Sequence, residues 1–479
     1  MRQLMWFRSD LRTQDNTALN AAMQNGPTLA VFFITPGQWL EHDDAPSKVD
    51  FWLRNLHSLQ AQLKSLNVPL LIRHVAFWRD VPEEMAKLCQ EHTICAVHSN
   101  EEYGLNEAHR DQQVANRLSK LGVQFNGYLD QLLFQPGSIL NRSGNYFQVY
   151  SQFRKVCYQR LHTAMPSTHP LPKAQANLGI ESDKVPTEVA GFDKPTDALQ
   201  KLWPAGEIKA HLRLQRFADE YMEDYDLQRD LPAIPGTSQL SPYLAAGVLS
   251  PRQCLEAALM SNRGEFESGT PGVVTWINEL LWREFYKHIL VGFPQVSRHQ
   301  PFRAQTKTIP WRHAPQELQA WKEGRTGFPL VDAAIRQLLA TGWMHNRLRM
   351  VVAMFLSKNL LIDWREGERF FMAHLIDGDL AANNGGWQWS ASTGTDAVPW
   401  FRLFNPINQS RRFDPQGRFI RHWLPELADL DEKFIHEPWK AGSLFARPDY
   451  PQPMIDLNHS RDRVLHTFRS LSVLEGHDV

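Results

Sequence analysis

Short apolar runs alternate with amphipathic stretches along roughly the first 125 residues. Residues 4–7, 29–34, 70–72, 94–97 and 123–125 read as strands. Residues 16–24, 47–66, 83–90 and 106–118 read as the helices between them. Ser47 is a candidate N-cap, and Phe51, Leu56, Leu59 and Leu63 fall on one face of its helix. Strands alternating with helices predict a Rossmann-like parallel sheet covered on both faces. No Gly-x-Gly-x-x-Gly opens a helix here and no Walker sequence occurs, so a dinucleotide pyrophosphate site is not supported in this half.

From residue 161 to 204 the alternation dissolves. Prolines 166, 170, 172, 186, 195 and 204 fall among Ser, Thr, Asp and Lys, which reads as a long surface linker. Helical periodicity then recurs in 207–221, 251–260, 274–291, 315–324, 331–341, 347–359 and 364–375, with few strand signals. The expected organisation is an α/β domain over 1–130, an interdomain linker over 131–204 and an all-α domain over 205–470.

Composition narrows the class. The 479 residues are 43% apolar and 22% charged, which is globular. Fifty-one basic against 52 acidic side chains give a formal charge of −1, so an anionic partner must meet a local patch. The four cysteines, Cys89, Cys95, Cys157 and Cys254, form no Cys-x-x-Cys pair, which argues against a zinc ribbon or disulfide scaffold. The opening MRQLMWFRSD lacks a secretory pattern, and no apolar run reaches the ~20 residues of a membrane helix. A cytoplasmic monomer with no metal, no membrane and no obligate protein partner is the expectation. Eleven of the 16 tryptophans fall between Trp276 and Trp439, so chemistry involving aromatic rings is sought there.

Four segments stand out. Residues 236–242 offer three hydroxyls and successive N–H groups, which suit a phosphate; the plainer and commoner reading is Ser241 capping a helix that starts at Pro242. On the 276–286 helix, Glu279, Trp282, Arg283 and Tyr286 lie on adjacent turns and suit a planar polar ligand; a surface ion pair beside core aromatics is again commoner. Residues 343–350 crowd His345, Asn346, Arg347 and Arg349 together, where arginines can meet phosphate and the amide a base or ring edge. Alone, His345 is more often structural. Residues 375–389, with Asp377, Asp379, Asn383, Asn384 and a Gly-Gly pair before Trp387 and Trp389, read as a polar loop around a ligand. The acid spacing fits no EF-hand. Finally, residues 400–421 carry five arginines against the single acid Asp414, interleaved with Trp400, Phe401, Phe404 and Phe413. This is a local basic, stacking surface, or else a solvated loop.

These segments resemble the photolyase/cryptochrome flavoproteins, most closely the class I photolyases that split cyclobutane pyrimidine dimers in DNA. The similarity runs from Trp-Phe-Arg-Ser-Asp-Leu-Arg (6–12) to about residue 455. Its strongest parts are Thr-Ser-Gln-Leu-Ser-Pro (237–242), Trp-x-x-Glu-Leu-x-Trp-Arg-Glu-Phe-Tyr (276–286), Gly-Trp-Met-His-Asn-Arg-Leu-Arg-Met (342–350) and Asp-Gly-Asp-x-x-Ala-Asn-Asn-Gly-Gly-Trp-Gln-Trp (377–389). The resemblance implies an α/β antenna domain and a helical FAD domain. It assigns FAD contacts to Tyr225, Thr237, Ser238, Gln239, Leu240, Ser241, Trp276, Arg283, Asn346, Arg349, Asp377, Gly378 and Asp379, with Arg349 paired to Asp377 and Asn383 facing flavin N5. Glu279, Trp282, Asn346, Met350 and Trp389 match the cavity for a flipped-out dimer, and Arg229, Arg347 and Arg402 match contacts to DNA phosphate. Trp387, Trp364 and Trp311 match the chain that passes an electron to photoexcited flavin.

Two departures affect the cofactors. Gln239 replaces the usual arginine of the phosphate loop. Asn106 and Glu107 match residues that hold a second chromophore, 5,10-methenyltetrahydrofolate, but Arg298 stands where the relatives have lysine. The implied activity is light-driven repair of dimers in UV-damaged DNA, with Glu279 stabilising the dimer's radical anion. Three other readings stay open. A cryptochrome-type blue-light sensor would more often carry another residue at position 383. A (6-4) photolyase would have histidines at Asn346 and Met350. A cofactor-free DNA-binding module would not need the polar, Trp-rich segment 377–389.

Overall fold

The computed structural model describes residues 1–442 and 450–475, with side chains to residue 470. The expected helical domain over 205–470 therefore includes residues 443–449, which lie outside the described part. Five strands, β1 (Arg2–Phe7), β2 (Thr28–Ile34), β3 (Leu70–His74), β4 (Ile94–Asn100) and β5 (Gln124–Tyr128), make one parallel sheet in the order β3-β2-β1-β4-β5. Leu4 stands opposite Leu29 of β2 on one side and Val97 of β4 on the other. β1 and β2 are near-continuous apolar runs, as strands covered on both faces must be. The helices Thr17–Asn25, Pro46–Ser65, Val81–Glu91 and Leu105–Ser119 fall where the periodicity predicts them.

Three local expectations are corrected. Ser47 is not an N-cap: Ala45 occupies that position, and Pro46, with its fixed φ, starts the helix one residue earlier. Ser241 likewise does not cap from outside, because the short helix Ser241–Ala245 has Leu240 at its N-cap. The stretch 131–204 also contains helices. Tyr150–Thr163 buries Tyr150, Phe153, Cys157 and Leu161 at helical spacing, and Asp197–Leu202 starts on the Thr196 cap.

The chain divides into two compact units, one of residues 1–226, 238–294 and 376–379, the other of 227–237, 295–375 and 380–479. In the first, Leu4, Trp6, Val31, Val97, Val114 and Leu118 form an apolar core between sheet and helices. A second tie is ionic and fully buried. Asp15 accepts from Arg252 Nε at 2.9 Å, Asp130 accepts from Arg252 Nη2 at 2.8 Å and from Arg12 Nη2 at 2.6 Å. Burial alone would raise the Asp130 pKa; Arg12 and Arg252 overcome it and hold the group at about 2.

The second unit is helical around Leu330, Phe355, Trp321, Trp364 and Trp387. The expected helix over 347–359 has a break in its hydrogen-bond pattern. Asn346–Met354 is α-helical, and Phe355–Asn359 widens to a π-helical turn in which Leu360 N donates to Phe355 O at 2.9 Å. The expected loop over 375–389 is corrected as well, since Leu380–Ala391 is an α-helix. No helix among the described residues is long and apolar enough to cross a membrane.

Candidate functional site

In the first unit, the helix Pro271–Gly292 gathers Trp276, Glu279, Trp282 and Arg283. The Trp282 ring stacks on Tyr150 at 3.7 Å between centroids and 12° between planes, and burial with the nearby Glu279 charge raises the Tyr150 phenol pKa. Trp276 packs on Phe217, which meets Tyr225 edge-on, so two expected FAD contacts share one aromatic cluster. Arg283 donates to Gln131 O at 2.6 Å. Sequence reasoning missed Glu284, whose buried carboxylate accepts from Leu133 N and Phe134 N at 3.0 and 2.8 Å and anchors this helix. It also missed Lys287, which pairs with Asp379.

The loop Thr237, Ser238, Gln239, Leu240, Ser241 turns at Gln239, whose φ of 50° lies in the left-handed region that side chains rarely adopt. Gln239 Oε1 accepts from Arg213 Nη1 at 3.0 Å, so Arg213 brings a guanidinium to a loop that has no cation of its own. Asp377 is buried and Gly378 follows it.

At the expected antenna positions, Asn106 Nδ2 and Gln38 Nε2 both lie 3.0 Å from His42 Nε2, and the His42 ring meets Trp78 edge-on at 4.8 Å. Desolvation, and next the Glu102 charge, raise the pKa of Glu107. Arg110 lies over both Trp6 and Trp78 and pairs with Glu102. None of His42, Gln38 or Trp78 carried a sequence signal, because His42 meets Asn106 across 64 residues and Gln38 and Trp78 gather on His42. Arg298 closes the 3-10 turn Pro294–Arg298 and belongs to the second unit.

In the second unit, His345 caps the helix Asn346–Met354: its Nδ1 accepts from Arg347 N at 3.2 Å. Burial pushes the His345 pKa down to about 4, so the ring is neutral and fixed as an acceptor at Nδ1. Asn346 is exposed and Met350 half-buried. Arg347 grips Asp230 through Nη2 at 2.7 Å and Nε at 3.2 Å, and lies 4.6 Å over the Phe413 ring. Arg349 donates to Met344 O at 2.8 Å, Arg229 is half-buried, and Arg402 is exposed.

The helix Leu380–Ala391 makes two of its hydrogen bonds to Glu368 and others to the 296–302 stretch, where Phe302 N donates to Gln388 Oε1 at 2.7 Å. Asn383 Nδ2 donates to the backbone oxygen of Glu368 at 2.9 Å, and Asn384 Nδ2 to the Glu368 carboxylate at 2.8 Å. The other carboxylate oxygen of Glu368 takes His299 Nδ1 at 2.9 Å, which raises the His299 pKa. Trp387 and Trp364 are buried in one core with Trp311 packed against it, so the three expected electron-transfer tryptophans share an apolar cluster. Trp387 also meets Trp321 edge-on at 6.0 Å, and Trp389 is half-buried about a turn and a half beyond the Asn pair. Trp387 Nε1 and Ser390 Oγ are buried with no protein partner among the described residues. Such groups cost about 1–3 kcal/mol each, so this helix suits a polar ring system that supplies hydrogen-bonding atoms.

Two family models match the chain: one described as DNA photolyase over residues 3–174, the other as FAD binding domain of DNA photolyase over 276–470. This chain belongs to the DNA photolyase family. Curated photolyases named deoxyribodipyrimidine photo-lyase are similar along their whole length. Those of Salmonella typhimurium and Escherichia coli are 44% and 43% identical, with 98% of each chain covered in both comparisons. Among solved photolyases, a bacterial class III enzyme from Agrobacterium tumefaciens has a TM-score of 0.88 at 32% identity, covering 98% of both chains. An archaeal photolyase from Sulfolobus tokodaii, described with two FAD molecules, has a TM-score of 0.81 at 29% identity, covering 98% of this chain and 100% of that one.

Proposed function

We propose that the chain repairs cyclobutane pyrimidine dimers in UV-damaged DNA, driven by light. The observation that carries this reading is the similarity to deoxyribodipyrimidine photo-lyases over 98% of the chain together with Asn346 and Met350, rather than histidines, at the positions that tell dimer repair from (6-4) repair. Bound FAD supplies the photoexcited one-electron donor. Tyr225, the Thr237, Ser238, Gln239, Leu240, Ser241 loop, Trp276, Arg283, Asn346, Arg349, Asp377, Gly378 and Asp379 hold it, and Arg213 stands in for the cation that Gln239 lacks. Asn383, oriented by Glu368, presents its amide to flavin N5. Trp311, Trp364 and Trp387 carry an electron inward.

The damaged bases leave the duplex, at a reduced unpairing cost because they are already distorted. Arg229, Arg347 and Arg402 fix the DNA through its phosphates without reading sequence. Glu279, Trp282, Asn346, Met350 and Trp389 receive the dimer, and Glu279 hydrogen-bonds its carbonyl edge as negative charge develops. Asn106, Glu107 and Arg298 hold a second chromophore, 5,10-methenyltetrahydrofolate. The antenna domain spans 1–130, the linker 131–204 and the catalytic domain 205–470, working as a cytoplasmic monomer.

Repair of a thymine-dimer oligonucleotide under blue light tests the reading, and a cryptochrome-type sensor would bind flavin and leave the dimer intact. Glu279→Ala is expected to lower the quantum yield severalfold, and by more than it weakens dark binding. An unchanged yield removes Glu279 from the chemistry.

A further inference from the structure

Lys358 lies in the π-helical turn Phe355–Asn359 and is fully buried, with 0% of its surface exposed. No carboxylate among the described residues bonds to it. Its Nζ donates instead to two backbone oxygens, Arg402 O at 3.0 Å and Pro399 O at 3.5 Å. Arg402 N donates to Pro399 O at 2.9 Å, so these carbonyls are the first and last of one four-residue turn, 399–402.

A buried ammonium without an anion is a costly way to fill space, and burial lowers its pKa to about 7. A methionine stem would occupy the same volume at no such cost, so the core does not account for the charge. What the charge does is gather both ends of the turn. The π-helical turn inserts one extra residue and so resets the direction of the side chains that follow. A second contact fixes the other side of the turn, where Trp400 stacks parallel over Phe468 at 6.3 Å. The turn is thus held at two points while Phe401 and Arg402 stand exposed.

We propose that Lys358 is a positioning residue for substrate DNA, holding the 399–402 turn so that the Arg402 guanidinium is preset to meet a phosphate. The proposal rests on the reading of Arg402 as a DNA contact.

The test uses the flavin-loaded protein with Lys358→Met, Lys358→Gln, Arg402→Ala and the Lys358→Met/Arg402→Ala double variant. Four quantities are measured: dark affinity for a thymine-dimer oligonucleotide, repair yield at saturating DNA, urea midpoint, and amide exchange at Arg402. Lys358→Met is expected to be at least as stable as the parent, to bind about tenfold more weakly and to repair normally once saturated. Its Arg402 amide should exchange faster, and the double variant should bind no worse than Arg402→Ala. Parental affinity in Lys358→Met, with Arg402→Ala weakened, overturns the role of Lys358 and leaves the DNA reading intact. Parental affinity in Arg402→Ala overturns both. If Met and Gln variants alike lose fold and flavin, Lys358 is a structural residue only and the proposal fails.

Discussion

At the scale of single residues, the buried ammonium of Lys358 makes a signed prediction about pH. Its pKa falls from 10.5 to about 7 on folding because burial disfavours the charge. Between those values the unfolded chain keeps a proton that the folded chain has released, so stability rises with pH. The sense is opposite to that of a lysine that gains a partner. Relative to Lys358→Met, the wild type should gain about 1–2 kcal/mol between pH 7 and pH 8.5, read from urea melts, since one proton is worth about 1.4 kcal/mol per pH unit. A flat difference would mean that water reaches the amine. His299 runs the other way. Its hydrogen bond to Glu368 raises its pKa, so whatever stability it adds is complete below 6.5 and lost as pH climbs through the raised value. His299 is more than half exposed, which makes that contribution small.

At the scale of elements, the helices Trp364–Met372 and Leu380–Ala391 touch so closely that Gly367 has no room for a side chain. A Cβ there would come within 2.0 Å of the Trp387 ring. Gly367→Ala should therefore cost about 1–3 kcal/mol in a thermal melt and alter tryptophan fluorescence, by pushing the indole off its seat. Absence of both effects would show that the two helices can part without penalty. The same pair explains a misreading. Residues 380–391 carry two glycines and two asparagines, weak helix formers with no apolar stripe, and so look like a loop. The helix's partners are remote: Glu368, 15 and 16 residues upstream of Asn383 and Asn384, takes both amides, and Gln388 bonds Gln300 and Phe302, none of which a local pattern encodes. By contrast, β1–β5 and the helices Pro46–Ser65 and Pro271–Gly292 were legible, since a 2.0 or 3.6 periodicity is local, whereas Tyr150–Thr163 and Leu457–Glu475 were not. The site was legible only as motifs. Glu279 and Asn383 could be named from resemblance, whereas Arg213, Glu284, Lys287 and His42 have partners far along the chain and needed coordinates.

At the scale of the whole molecule, a formal charge of −1 leaves DNA affinity to a few placed cations. Each cation withdrawn from a phosphate should reduce the log–log salt slope by about 0.7–0.9. Removing Arg229, Arg347 and Arg402 together should flatten it by about 2–3, measured by titration between low and moderate salt. Arg347 already holds Asp230, so its single replacement should matter less than that of the exposed Arg402. A slope unmoved by the triple change would relocate the DNA surface. The buried ion cluster of the first unit bears on how the chain can be cut. Arg252 reaches back to Asp15 and Asp130, 237 and 122 positions earlier. A fragment ending at residue 204 would keep both acids and Arg12 but lose the Arg252 guanidinium, taking from Asp15 its ion-pair partner and from Asp130 one of its two. Breaking such a pair costs about 3–5 kcal/mol, a large share of what a small fold possesses. The α/β portion is therefore no detachable cassette: to be grafted elsewhere it must bring Arg252 along, or have Asp15 replaced first.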